Sequence, residues 1–106
     1  MLAKTLSALA EPNRLQIVEV LRAGPQPVSV ICDRVPIGQP QISKHLRVLR
    51  EAGLAHVEPR GQQRVYTLRA APFRELDAWL ERFRSIWGAR FDQLDDLLRQ
   101  MKKERR

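Results

Sequence analysis

The spacing of apolar residues changes period twice along this chain, and those two changes restrict what it can fold into. Up to Leu49 the apolar residues recur every three or four positions. Between residues 55 and 68 they alternate, and after Pro72 the helical interval returns and persists to Met101. A three-to-four-residue period places apolar side chains on one face of an α-helix, whereas a two-residue period places them on one face of a strand. The expectation is a mainly α-helical single domain over residues 1–106, interrupted once by a small β-hairpin and completed by a long C-terminal helix.

Local signals refine this order. Leu2, Leu6 and Leu9 predict a first short amphipathic helix within residues 1–10. Pro12 suits the first turn of a second helix, whose Leu15, Val18 and Leu21 repeat until Gly24, Pro25 and Pro27 stop the pattern. Residues 28–34 predict two turns of a third helix, closed by Val35-Pro36 and the turn-like Ile37-Gly38. A fourth helix starts near Pro40. On it Ile42, Leu46 and Leu49 fall within about 60° of one another, so they face a core, while Lys44 and Arg47 point away and Gln41 and Ser43 occupy the shoulders. Gly53 followed by Leu54 reads as a left-handed helix cap with its apolar contact. Val57 and the run from Val65 to Leu68 read as two strands joined by the polar tip Pro59-Arg60-Gly61-Gln62-Gln63.

The last segment carries Phe73, Leu76, Leu80, Phe83, Trp87, Phe91, Leu94, Leu98 and Met101 at steps of three and four. Thirty helical residues run about 45 Å, more than a body of this size covers by itself, so the stripe asks for a partner helix. Two consecutive steps of four at Phe83, Trp87 and Phe91 break a heptad and favour packing against a globular surface over a regular coiled coil. Residues 1–10 and 72–101 are thus the expected dimerisation helices.

The formal net charge is +7, which points to a polyanionic partner without identifying it. Its distribution is more informative. Between Gln39 and Arg69, Lys44, Arg47, Arg50, Arg60, Arg64 and Arg69 stand against only Glu51 and Glu58, and a second basic excess occupies the tail, residues 102–106 with Arg99 before it. Three helices, a short turn, an outward basic helix and a hairpin with a basic tip are the order of a winged helix-turn-helix, with the helix-turn-helix at residues 28–53 and the wing at 55–69. A helix fits the major groove of duplex DNA and a wing reaches the adjacent backbone or minor groove. The candidate DNA contacts are Gln39, Gln41, Ser43, Lys44, His45 and Arg47 on the helix and Arg60, Gln63 and Arg64 on the wing.

The stretches AEPNRLQIVEVL, QPQISKHLRVLREAGL and HVEPRGQQRVYTL resemble the signature segments of ArsR-type transcriptional regulators over residues 3–69. The most specific part is Gln39-Pro40, Ser43, His45-Leu46, Leu49 and Ala52-Gly53-Leu54. The resemblance implies a DNA-binding repressor, dimeric through its first and last helices, and therefore a set of interface residues comprising Leu2, Leu6, Leu9, Phe73, Leu76, Leu80, Phe83, Trp87, Phe91 and Leu94. Metal-sensing members of the family carry a Cys-x-Cys-Asp motif or His and Asp ligands on the last helix. Here the corresponding stretch reads Val30-Ile31-Cys32-Asp33, and no histidine follows His56, so the resemblance is to metal-independent members, several of them repressors of their own or a neighbouring gene. No metal and no cofactor is expected, and no inducer can be read from the chain.

Other classes fit less well. No nucleophile and base pair, glycine-rich phosphate loop or ligand cluster supports an enzyme. An RNA-binding reading lacks exposed aromatic stacking residues and a groove wide enough for a helix. A winged-helix module for protein partners would explain the fold but leaves Gln41, Ser43 and Lys44 without a task. No apolar run approaches the roughly 20 residues that span a bilayer. The N-terminus carries no secretory pattern, and the one cysteine, Cys32, has no partner in the chain, so a cytoplasmic location is expected. Cys32 is most simply a small buried apolar residue.

Overall fold

The computed structural model describes residues 2–104. The element order is α1 (Leu2–Leu9), α2 (Pro12–Leu21), β1 (Gln26–Pro27), α3 (Val28–Arg34), α4 (Gln39–Glu51), β2 (Ala55–Arg60), β3 (Gln63–Leu68) and α5 (Ala70–Glu104). Two units can be distinguished, Met1–Glu75 and Leu76–Arg106.

In the first unit the core is a continuous cluster built around Ile17, Leu21, Ile31, Val35, Ile42, Leu46, Leu49 and Leu54, all 2% exposed or less. Burying such side chains contributes about 1.5–3 kcal/mol each, so these residues hold α2, α3 and α4 together. α2 is set by the carboxylate of Glu11, which accepts the Arg14 backbone N–H at 2.8 Å, and by Pro12 in the first turn. Its inward face differs from the expected Leu15, Val18 and Leu21 stripe. Ile17 and Leu21 are buried, whereas Leu15 is 49% exposed. The three-residue repeat drifts by 60° per step at 100° per residue, so a true inward pair is i, i+4.

α1 turns Thr5 and Ala8 inward, leaving Leu2 and Leu9 partly buried and Leu6 exposed. Small side chains let this helix lie close against the body, with Leu9 packed against the core and Leu6 turned outward. Phe73 and Leu9, both expected at a dimer interface, are partly buried and pack against this protomer's own core.

The sheet has three strands, not two, in the order β1-β3-β2, all antiparallel. Gln26 pairs with Tyr66 and Pro27 with Val65. The prolines that read as a helix stop also supply this short edge strand, a place where proline's missing N–H costs nothing. The hairpin tip is tighter than Pro59 to Gln63: Arg60 pairs with Gln63, leaving only Gly61 and Gln62 as the loop. Gly61 has φ 63° and no non-glycine residue among those described has positive φ, the pattern of a type II′ hairpin with glycine first.

In the second unit the helix continues through residue 104, so Lys102 and Lys103 form its last turn, with basic side chains suited to the carbonyl end of the helix dipole. Arg105 and Arg106, the remainder of the expected basic tail, lie outside the described residues. Leu80, Phe83, Ile86, Trp87, Phe91, Leu94, Leu97, Leu98 and Met101 are all exposed. Trp79 and Phe83 meet edge to face at 5.0 Å, and the Arg90 guanidinium lies 4.9 Å from the Trp87 ring.

Candidate nucleic-acid interface

α4 is the best-defined element of the site. Gly38, at φ 91°, lets the chain turn into the helix, and its carbonyl accepts the Ile42 N–H at 3.0 Å. At the other end Ala52 caps the helix, Gly53 takes φ 78°, and the N–H groups of Gly53 and Leu54 donate to the carbonyls of Arg50 and Leu49 at 3.0 and 2.9 Å. These two bonds are a complete Schellman motif, and Leu54 supplies its apolar contact by being fully buried. Both helix ends are thus fixed, and the inward Ile42, Leu46 and Leu49 are at most 1% exposed. Gln39, Gln41, Ser43, Lys44, Arg47 and Arg50 are consequently left facing outward and exposed.

An open cleft of about 710 Å³ lies between α3, one flank of α4 and the wing. Gln39, Ser43, Arg47 and Arg50 enter it from α4, Gln62, Gln63 and Arg64 from the wing, and Ser29, Cys32 and Asp33 from α3. β1 makes this assembly possible. It runs directly into α3 at Pro27, whose extended backbone precedes the helix, and it is paired with β3, so the root of the wing is tied to the start of the helix-turn-helix.

Five of the nine residues expected to contact DNA therefore share one cleft: Gln39, Ser43, Arg47, Gln63 and Arg64. Gln41 and Lys44 are exposed on α4 outside the cleft, and Arg60 is exposed at the end of β2. His45 departs from the expectation. Its side chain is only 12% exposed, with Nδ1 3.7 Å from Glu11 Oε2 and 3.4 Å from Arg14 Nη1. It points to the α1–α2 corner, not to a groove partner.

Arg50 was not among the expected contacts. Its spacing of three from Arg47, seven from Ser43 and eleven from Gln39 places it on their stripe, a signal the sequence does contain. Arg14 donates from Nε to the Ala8 carbonyl at 2.6 Å.

Electrostatically the cleft carries three guanidinium groups against the carboxylate of Asp33. Arg47 pairs with Glu51 at 3.2 Å, with both side chains more than 60% exposed, a contact worth little in water. Lys44, Arg50, Arg60 and Arg64 form no ion pair among the described residues. An outward helix with hydrogen-bonding and cationic side chains beside a basic wing can both contact base edges and neutralise phosphates. No group of three or more potential metal ligands occurs among the described residues, and no helix among them is long and apolar enough to cross a membrane.

Fold and site together define a DNA-binding protein of the winged helix-turn-helix class. Residues 9–58 match the family described as "Helix-turn-helix domain". The chain is 40% identical over 76 residues to the HTH-type transcriptional regulator Rv2034 of Mycobacterium tuberculosis, covering 72% of this chain and 71% of that one. It is 44% identical over 66 residues to the HTH-type transcriptional regulator NmtR of the same organism; the match takes in 62% of this chain but only 55% of that relative's length. Among solved structures, an ArsR-like transcriptional regulator from Rhodococcus sp. RHA1 superposes with a TM-score of 0.70 at 27% identity, covering 91% of both chains. The transcriptional repressor BigR from Xylella fastidiosa superposes with a TM-score of 0.63 at 31% identity, covering 79% of this chain and 83% of that one. This chain belongs to the ArsR-type family of winged helix-turn-helix transcriptional regulators.

Proposed function

We propose that the protein is a sequence-specific, double-stranded DNA-binding transcriptional repressor that acts as a homodimer on an inverted-repeat operator and needs no metal to do so. The observation that carries the DNA reading is the meeting of Gln39, Ser43, Arg47 and Arg50 of α4 with Gln63 and Arg64 of the wing in one basic cleft. Lys44 and Gln41 extend that surface along the exposed side of the helix. In this arrangement α4 lies in the major groove and the wing follows the neighbouring backbone.

The homodimer is supported by the apolar residues left exposed. Leu6 on α1 and the run from Leu80 to Met101 on α5 have no counterpart in their own unit that buries them, and a stripe of that extent marks an association surface. A two-fold dimer that reads duplex DNA presents its recognition helices about 34 Å apart, one turn of duplex, which requires a palindromic operator. Repression is the activity stated in the name of the similar Xylella protein and is carried over here as part of the proposal. A cytoplasmic location follows from a DNA target.

The deciding experiment is selection of bound sequences from random duplex DNA at about 150 mM salt, with affinity then followed as salt rises. A palindromic motif with a steep salt dependence is the expected result. Absence of enrichment together with weak binding would move the assignment to a winged-helix module for protein partners.

A further inference from the structure

Arg14 lies at the point where three elements meet. Its Nε donates to the Ala8 carbonyl at the end of α1, its Nη1 lies 3.4 Å from His45 Nδ1 on α4, and its backbone N–H donates to Glu11 Oε2 at the start of α2. The same Glu11 oxygen is 3.7 Å from His45 Nδ1, and Asn13 Nδ2 donates to the other carboxylate oxygen at 3.4 Å. The Glu11 and His45 side chains are 28% and 12% exposed. No part of this cluster lines the cleft.

We propose that Glu11, Arg14 and His45 form a positioning unit that fixes the rotation of the recognition helix about its own axis. The inference rests on the DNA-binding reading above and adds residues that touch no DNA. Ile42, Leu46 and Leu49 set how deeply α4 sits, but apolar burial is non-directional. A rotation of about 20° would move side-chain tips about 6 Å from the axis by roughly 2 Å, enough to spoil a hydrogen-bonded base contact. His45 lies on the flank of α4 opposite the cleft stripe, so a directional bond there opposes such a rotation. Arginine only donates and a carboxylate only accepts, so the proposed Arg14 bond requires Nδ1 to accept and the ring proton to sit on Nε2, whereas a bond to Glu11 would require a proton on Nδ1. Arg14 thereby links α1, whose Leu6 is exposed on the proposed dimer surface, to the helix that reads DNA.

The test combines duplex affinity, thermal midpoint and imidazole nitrogen NMR. Arg14→Met keeps an apolar stem and removes every side-chain donor; the thermal midpoint falls by several degrees, as loss of a charged hydrogen bond implies, while dimerisation is retained and duplex affinity falls by about tenfold or more even at temperatures well below that midpoint. His45→Leu loses as much, and the double variant no more than either single one. His45→Asn, which keeps an acceptor at the δ position, retains most of the affinity. Arg14→Lys, the gentler change, also loses affinity because one ammonium cannot span both acceptors. The wild-type ring shows the Nε2–H tautomer, and Arg14→Met shows a mixture. Wild-type affinity in Arg14→Met, additive losses in the double variant, a loss of affinity that disappears well below the thermal midpoint, or a proton on Nδ1 would each overturn the proposal. The ring measurement needs no DNA, so a wild-type protein that binds no duplex would refute the DNA reading and leave the tautomer to judge the positioning unit.

Discussion

Arg47 pairs with Glu51, one helical turn away, and both side chains are exposed. Only Nε of Arg47 meets Glu51, so its Nη groups stay available to a base or phosphate, and the neighbouring carboxylate acts mainly by repelling the duplex. Glu51→Gln is therefore expected to raise duplex affinity by a few-fold at low salt, with the gain shrinking as salt is added. Lys44→Ala and Arg47→Ala should each weaken specific binding by about 1–3 kcal/mol where they contact bases, whereas Arg60→Ala and Arg64→Ala should mainly lower the salt slope by about one each. A fluorescence-anisotropy titration at several salt concentrations separates the two behaviours, and unchanged binding in all four would refute the interface. At this scale the sequence was informative where a residue's direction followed from helix geometry alone, as for Ile42, Leu46 and Leu49. It failed at His45, which sits beside the core face at an angle compatible with either neighbour. Only the long-range approach of Glu11 and Arg14, 34 and 31 positions earlier, decides which way the ring points.

Among the elements, α4 was the most legible because both of its ends are encoded locally, by Gly38-Gln39-Pro40 and by Gly53-Leu54. The Gly53 cap offers a clean test. A Cβ there would meet nothing within 4 Å, so Gly53→Ala adds no clash and costs only the left-handed backbone conformation, about 1–2 kcal/mol. Thermal unfolding should register this as a drop of roughly 4–8 °C per kcal/mol for a domain of this size. A fall much larger than that would mean that the space around the cap is needed for something else. β1 was not legible, because two residues containing a proline carry no strand pattern of their own. The strand exists only because β3 lies alongside it. α2 was legible in extent but not in orientation, since Ile17, the residue it buries most completely, falls outside the three-residue repeat that its leucines suggest.

For the whole molecule, the exposed apolar run on α5 is the feature that no single chain explains. Phe91 is 61% exposed, and placing a carboxylate there would bury a charge in any helix-to-helix interface at a cost of several kcal/mol. Phe91→Asp should yield a monomer by sedimentation with its helical content retained and with palindrome binding lost; a dimer that survives the change would place the interface elsewhere. Zinc or arsenite added to the protein–DNA complex should leave affinity unchanged, and stoichiometric release would contradict metal-independent repression. The long helix itself was plain from its spacing. Its outer neighbours, Ile86 and Leu97, were missed because they stand beside the main stripe and widen it.

The two outer strands of the small sheet each contain a proline, Pro27 in β1 and Pro59 in β2, while the central β3 has none. Each proline removes an N–H from a strand that would otherwise offer its free side to a neighbour, and such edges are where sheets recruit foreign strands. Extension of the sheet is thereby disfavoured at both margins, which lowers the tendency of crowded copies of this protein to pair edge to edge through their wings.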